Sequence, residues 1–304
     1  MRALGICMLA LCLLAGCGDD ADTVSQDGPR TGPVMVHAVN HPLAAMATRI
    51  GGDDVVVTFP VPRGSDPAFW RPTEAQIAAY QDAELILING ADYAKWVARA
   101  TLPRRAVIDT SKGFASRYIE TSGGVTHSHG PEGAHSHAGI AYTTWLDLDQ
   151  AAQQGAEIMR AIADRRPALK EAVKERFVAL RTALEALDTR LKTLGTNAPA
   201  LLASHPVYQY MARRYDLDID ALDWEPGAMP TDAQWKELEA RLARRPAKIL
   251  LWEAEPPAEA VTRLEALGVK SVVFDPCAGT PASGDFLDVM DANIARLEAA
   301  VRGG

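Results

Sequence analysis

Ala38-Val-Asn-His-Pro-Leu-Ala-Ala-Met-Ala-Thr-Arg49 and Leu202-Ala-Ser-His-Pro-Val-Tyr-Gln-Tyr-Met-Ala-Arg213 follow one pattern: apolar residues, a small polar residue, His-Pro, then an amphipathic stretch closing on Arg. The pattern reads as a strand running into a helix, written twice. Around the first copy lie the β-rich runs Val34 to Val39, Val55 to Phe59, Leu85 to Asn89 and Ala106 to Asp109. Around the second lie Ala200 to Ser204, Ile219 to Trp224, Ile249 to Glu253 and Ser271 to Phe274. Amphipathic stretches separate the runs, which is the alternation of a parallel α/β sheet. The fold class expected is therefore α/β with two lobes, each a four-stranded, mainly parallel sheet flanked by helices.

Between the lobes, Leu148 to Ala163 reads as one helix and Pro167 to Leu194 as a longer one. Val173, Phe177, Leu180, Leu184, Leu187, Leu191 and Leu194 recur at spacings of three and four, which makes one apolar stripe. Pro167 suits the first turn and Gly195 the C-terminal stop. A coiled-coil seam is the alternative, but only about four heptads are available, and a single strut between lobes of a monomer fits better. The expected organisation is an N-terminal lobe over 34–164, containing a histidine-rich loop over 121–142, a rigid linking helix over 165–195 and a C-terminal lobe over 196–304.

The N-terminus carries Met-Arg, an apolar run from Ala3 to Ala15, and Leu14-Ala-Gly-Cys17. That run is too short to span a bilayer, which needs about 20 apolar residues. It resembles a bacterial lipoprotein signal, with 1–16 removed and Cys17 acylated, so the chain is expected in the periplasm or outside the cell, anchored to a membrane by lipid. Residues 17–33, rich in Asp, Gly, Ser, Thr and Pro, read as a disordered tether. Cys7 and Cys12 leave with the signal, so Cys277 is the one free thiol and no intrachain disulfide forms. The chain has 31 Lys+Arg against 39 Asp+Glu, a net charge of −8, and an acidic surface disfavours nucleic acid and favours cations.

Four of the seven histidines, His127, His129, His135 and His137, fall in Thr126-His-Ser-His-Gly-Pro-Glu-Gly-Ala-His-Ser-His-Ala138. Neutral imidazole is a good donor for zinc, copper and nickel, and residues i and i+2 of an extended segment face the same way. His41 and His205 take matching places in the repeat, at the C-terminal ends of strands. In open α/β sheets that edge is where ligands sit. Each alone reads better as a capping or packing residue; their pairing is what points to a ligand.

Ile50-Gly-Gly-Asp53, Asp66-Pro-Ala-Phe-Trp-Arg-Pro72, Ala83-Glu-Leu-Ile-Leu-Ile-Asn-Gly90, Trp145-Leu-Asp147, Ala203 to Tyr215, Val273-Phe-Asp-Pro276 and Gly284 to Met290, with the histidine-rich loop, give the sequence its wider identity. Together they resemble the solute-binding lipoproteins of bacterial zinc and manganese ABC importers. The resemblance implies two lobes on a long helix, one metal ion held between them, and delivery to a cognate ABC permease. Of the four ligand positions it implies, the third falls on His205 and the fourth on Asp275. Histidine at the third is usual for zinc members, so zinc is the expected ion, with manganese, copper, nickel or a metal chelate as alternatives. The first falls on Ala68, which cannot ligate, and the second on Thr143 or its neighbour, a poor zinc donor.

A rebuilt site is therefore expected from His41, His205 and Asp275, with His137 as fourth donor and His135 next to it in rank. His127 and His129 are accessory candidates. Cys277 is a further candidate as a thiolate, against the plainer reading of a small buried side chain. Asp66, Glu225, Glu253 and Glu255 read best as solvated surface carboxylates that also have the chemistry of substitute oxygen donors. A zinc hydrolase is the alternative function, but His-Glu-x-x-His and Gly-x-Ser-x-Gly are both absent from the sequence. Affinity for metal is expected to fall below about pH 6.5, where protons compete for imidazole.

Overall fold

Strands and helices alternate along the described chain from Val34 onward. The computed structural model describes residues 32–121, 126–128, 134–136 and 139–303. Expectations for the signal sequence, Cys17, most of the tether, His129 and His137 lie outside these residues, and only the backbone of His127 and His135 is described. The first half runs β1 (Val34–Ala38), α1 (His41–Gly51), β2 (Val55–Thr58), α2 (Glu74–Asp82), β3 (Leu85–Ile88) and β4 (Val107–Asp109). These strands form one parallel sheet in the order β2-β1-β3-β4. Next come β5 (Glu120–Thr121), β6 (Thr126–Ser128), β7 (Ala134–Ser136) and β8 (Gly139–Ile140). β5 pairs with β8 and β6 with β7, both antiparallel, and the second register sets His127 opposite His135.

Two long helices follow, α3 (Leu148–Arg165) and α4 (Lys170–Gly195), then β9 (Leu201–Ala203), α5 (Gln209–Tyr215), β10 (Ile219–Ala221), α6 (Asp232–Arg244), β11 (Ile249–Trp252), α7 (Ala258–Ala266), β12 (Lys270–Val273) and α8 (Phe286–Arg302). The second sheet is also parallel, in the order β10-β9-β11-β12. The two sheets share one strand order, which fits the internal repeat. A second repeated device supports it: Thr73 and Gln76 close a capping box on α2, and Thr231 and Gln234 close the same box on α6. Helices cover both faces of each sheet, so β9 and β11 are wholly buried and read as continuous apolar runs.

The apolar stripe of α4 buries Val173, Leu180, Leu184, Leu187, Leu191 and Leu194. The stripe packs against α1 and α3 on one side and α5 and α8 on the other. It is thus consumed within the chain, and a single apolar core runs from β1 and α1 through α4 to α8. A second core, around Trp224, Trp235 and Trp252, backs the second sheet. Pro167 opens a 3₁₀ turn, Pro167–Leu169, that leads into α4. Gly195 ends α4 for a reason other than left-handed capping: a Cβ there would stand 1.9 Å from the Tyr215 carbonyl oxygen.

Ion pairs fix the ends of these helices. The guanidinium of Arg166 donates two hydrogen bonds to the Glu84 carboxylate, each 3.0 Å, and both side chains are largely buried, at 11% and 8% exposure. Such a fork is costly to break from one side because the remaining charge stays buried. Arg166→Met or Glu84→Ala alone should each destabilise the protein by roughly 3 kcal/mol, read as a lower urea midpoint. The double variant Arg166→Met/Glu84→Leu should recover most of that loss.

Candidate metal centre

In each sheet the strand order reverses direction between two neighbours, β1 and β3 in the first and β9 and β11 in the second. Crevices at such points collect ligands at the carboxyl ends of the strands. His205 follows β9 and Glu253 follows β11, so the second reversal point delivers both. His205 is 4% exposed, and its Nδ1 lies 3.0 Å from Glu253 Oε1. Burial alone would lower the imidazolium pKa, but Glu253, with Asp66 and Glu225 acting through charge, holds it above the ordinary value.

The two His-Pro copies differ in backbone. Asn40 caps α1 by accepting from Leu43 N at 3.0 Å, so His41 already lies in the first helical turn with Pro42 beside it. In the second copy Pro206 does not open the helix: α5 begins only at Gln209, and His205 sits in a bend where Val207 N donates to its carbonyl at 3.0 Å. His41 is directed elsewhere. Its N–H donates to Ala278 O at 2.9 Å, its ring centroid is 6.3 Å from that of Phe59, and Asp285 is the charge acting on it. Burial lowers its pKa, with Asp285 opposing.

Asp275 follows β12. Its Oδ1 accepts from Cys277 N at 2.7 Å, and its backbone is held by Asn293 through bonds of 3.1 and 2.7 Å. Burial raises its pKa, and the charge of Glu253 adds to the rise. Cys277 takes a left-handed conformation, φ 60°, and is 1% exposed. Burial, together with Asp275 and Asp285, pushes its thiol far up, so in the metal-free protein it is protonated. Among the described residues, no three His, Cys, Asp or Glu side chains stand close enough to hold one ion. The expected grouping of His41, His205 and Asp275 is thus not formed: helix α1 carries His41 toward Phe59 and Asp285, while His205 and Asp275 each face Glu253.

The two positions without donors have structural duties. Ala68 is 1% exposed, and its N–H donates to Asp66 Oδ1 at 2.9 Å. Thr143 spends its hydroxyl proton on Val207 O at 2.5 Å, tying the first half of the chain to the His205 loop. Beside it, Tyr142 meets Tyr93 and Phe69 edge-on, with centroids 5.3 and 6.3 Å apart. Burial, aided by Asp66 and Glu253, raises the Tyr142 phenol far above its usual range. A cavity of about 30 Å³ lies here, lined by Thr121, Ile140, Tyr142, Thr143, Pro206 and Val207 among others. The β5–β8 stem of the histidine-rich segment therefore abuts the loop that carries His205.

Asp66, Glu225 and Glu253 are drawn to His205, where sequence reasoning favours solvated carboxylates. Glu255 is exposed, as expected. The missing signal is strand order, since adjacency of β9 and β11 is what makes residue 253 a neighbour of residue 205.

The model of the family described as zinc-uptake complex component A, periplasmic (ZnuA), matches residues 36–300. The zinc-binding lipoprotein AdcA of Streptococcus pneumoniae is 24% identical over 314 residues, covering 98% of this chain and 61% of that protein. The high-affinity zinc uptake system protein ZnuA of Bacillus subtilis is 24% identical over 315 residues, covering 97% of this chain and 96% of that protein. The chain thus spans less than two thirds of AdcA and nearly all of the Bacillus protein. In structure it is similar to the metal-dependent lipoprotein YcdH of Bacillus subtilis, with a TM-score of 0.75 and 21% identity, over 88% of this chain and 98% of that one.

The electrostatics of the crevice fix an order of titration. In metal-free protein, NMR of the imidazole ring protons should show His205 titrating above 6.5 and both His37 and His41 below it. Because the folded value of His205 exceeds the unfolded one, its pairing stabilises the metal-free fold fully below pH 6.5, and that stabilisation is lost as pH rises through the folded value.

Proposed function

We propose, because this chain belongs to the periplasmic zinc-uptake component A (ZnuA) family, that it captures zinc outside the cytoplasmic membrane and hands it to the permease of an ABC importer. The family consists of metal solute-binding proteins, so the site is asked to bind and release an ion and to perform no covalent chemistry. One observation carries the reading: a buried imidazole, His205, lies at a sheet's ligand-binding edge among the carboxylates of Glu253, Asp66 and Glu225. Imidazole nitrogen with carboxylate oxygen is a zinc donor set, whereas calcium and magnesium sites are built from oxygen alone.

In this reading His205 is the first ligand and Asp275, which borders the same Glu253, the second. The remaining donors come from the histidine-rich segment, His137 foremost and His135 after it, with His127 and His129 as accessory ligands. The β5–β8 stem beside Val207 supports that role. Residues 1–16 are removed, Cys17 carries lipid, and the mature protein works as a monomer tethered to the membrane. A manganese-binding variant of the same function is favoured by the number of carboxylates near His205.

Calorimetric titration of metal-free protein should show one zinc ion bound with submicromolar Kd and a weaker response to manganese. His205→Ala should weaken zinc binding by at least about a hundredfold. Zinc binding no tighter than micromolar in the unaltered protein would overturn the function. Deleting 126–138 should abolish the tight site, whereas unchanged stoichiometry and affinity would show that the loop is dispensable.

A further inference from the structure

We propose that Tyr210 is a positioning residue for the histidine-rich segment: its hydroxyl takes the place of a rung between Ile119 and Ala141 at the root of the β5–β8 stem, so that α5 carries the stem. The inference rests on the preceding reading of that segment as a source of metal donors. It starts from the ladder. β5 and β8 pair with Glu120 opposite Ile140 and Thr121 opposite Gly139, so the next pair toward the body of the protein is Ile119 opposite Ala141. A hydrogen-bonded antiparallel pair exchanges two bonds, one in each direction. Ala141 N donates to Ile119 O at 2.9 Å, which is the first of them. The second is interrupted: Ile119 N donates to the Tyr210 hydroxyl oxygen at 3.3 Å, and that hydroxyl donates onward to Ala141 O at 2.9 Å. A hydroxyl both donates and accepts, so one phenol satisfies both ends of the opened rung.

The inserted phenol comes from the other half of the chain. Tyr210 lies in the first turn of α5, the helix that follows the His205 bend, and it is fully buried. One turn on, the Arg213 guanidinium sits 5.1 Å from the Tyr210 ring centroid and donates to Arg117 O at 2.7 Å. On the other root, Thr143 donates to Val207 O. Both roots are thus tied to the stretch 207–213. α5 is held in turn at its far end. The Tyr215 hydroxyl accepts from Leu148 N at 3.2 Å and donates to Asp188 of α4 at 3.1 Å, and Arg214 donates twice to the same carboxylate. The stem is therefore seated on a helix that is itself fastened to α4.

A hairpin that had only to hold itself together has no use for this arrangement. A direct bond from Ile119 N to Ala141 O completes the pair with no side chain at all, and burial of a ring is served equally by phenylalanine. What the hydroxyl adds is a link from stem to helix. The link matters because little else locates the stem. A two-stranded ribbon is marginal on its own, and Glu120, Gly139 and Ile140 are exposed, so the ribbon buries little apolar surface. Hydrogen bonds to α5 then decide where the segment leaves the body of the protein, beside the loop that carries His205.

The test compares full-length protein with Tyr210→Phe, which keeps the buried ring and removes only the hydroxyl, and with Arg213→Met, which removes the neighbouring tie. Each is checked for an unchanged fold by circular dichroism. Nitrogen-15 relaxation of metal-free protein should find the amides of Glu120, Thr121 and Ile140 as ordered as those of α5, and clearly more mobile in Tyr210→Phe. In calorimetric titration Tyr210→Phe should weaken zinc binding about tenfold, with Arg213→Met acting in the same direction. Neither substitution should change the residual, weaker zinc binding of protein lacking 126–138. An equally ordered stem in Tyr210→Phe would overturn the proposal. So would an equal loss of affinity with and without 126–138, which marks a merely structural role, or a loosened stem with unchanged affinity where tight binding needs 126–138. A loosened stem in Tyr210→Phe, together with full zinc affinity in protein lacking 126–138, would uphold the role of Tyr210 at the stem and overturn the reading of the segment as a source of donors.

Discussion

The apolar stripe of α4 is the constraint from which the rest of the arrangement follows. Its N-terminal half belongs to the first sheet: Phe177 and Leu180 pack on Gly155 of α3, and Arg176 donates to Gly51 O and pairs with Asp54. Its C-terminal half belongs to the second: Arg190 grips Glu298 of α8, and Asp188 accepts from Arg214 and Tyr215 of α5. Burying one large apolar side chain is worth about 1.5–3 kcal/mol, so peeling either half of the helix free would consume most of a typical domain's stability of 5–15 kcal/mol. The two sheet edges that wall the crevice are therefore held in register through a single helix.

A second fastening carries the region after β12 across to the first sheet's side. Ala278 O accepts from His41 N, Pro276 O from the Trp145 indole, and Pro281 O from Arg63, while Asp285 pairs with Arg49. Asp275 begins this strap. Its carboxylate thus depends on contacts made by both halves, as does Val207 through Thr143. Tyr93, Tyr142 and Tyr208, whose phenols burial keeps neutral, stand near Asp66, Glu253 and Asp275, so among the described residues the charges there are carboxylates. Carboxylates gathered in such low-dielectric surroundings repel one another, and a divalent cation relieves that repulsion where a neutral solute does not.

Strand runs, both long helices and the two-lobe plan were legible in the sequence because each rests on local periodicity. The His-Pro repeat marked the matching first strand and helix of each lobe, though not the strand order that the two sheets share. What escaped was everything set by pairing between distant residues. Glu253 reads as one more charged residue at a strand end until β11 is placed beside β9. Cys277 offers soft metal-binding chemistry in sequence, but its left-handed, buried setting after Asp275 is visible only in the fold. Gly195 was placed correctly as a helix end, but the close approach of Tyr215 explains it better than capping does.

The same six-residue logic in the two copies sets the two histidines in different surroundings, and the cause is a single ladder bond. In the first sheet the ladder ends with Val39 N donating to Leu87 O, which leaves Asn40 outside it and able to cap α1. Helix therefore starts at His41 and fixes the ring against the core. In the second sheet the ladder runs one position further, with Ser204 N donating to Leu251 O and Ser204 O accepting from Trp224 N. Ser204, the counterpart of Asn40, is thereby engaged through both its N–H and its carbonyl, and its hydroxyl has no hydrogen-bond partner among the described residues. With its cap withheld, the helix cannot begin at His205. The chain bends for several residues before α5, and within that bend the imidazole turns from the core toward Glu253. One extra rung of sheet thus separates the two histidines in setting, although the sequence writes them alike.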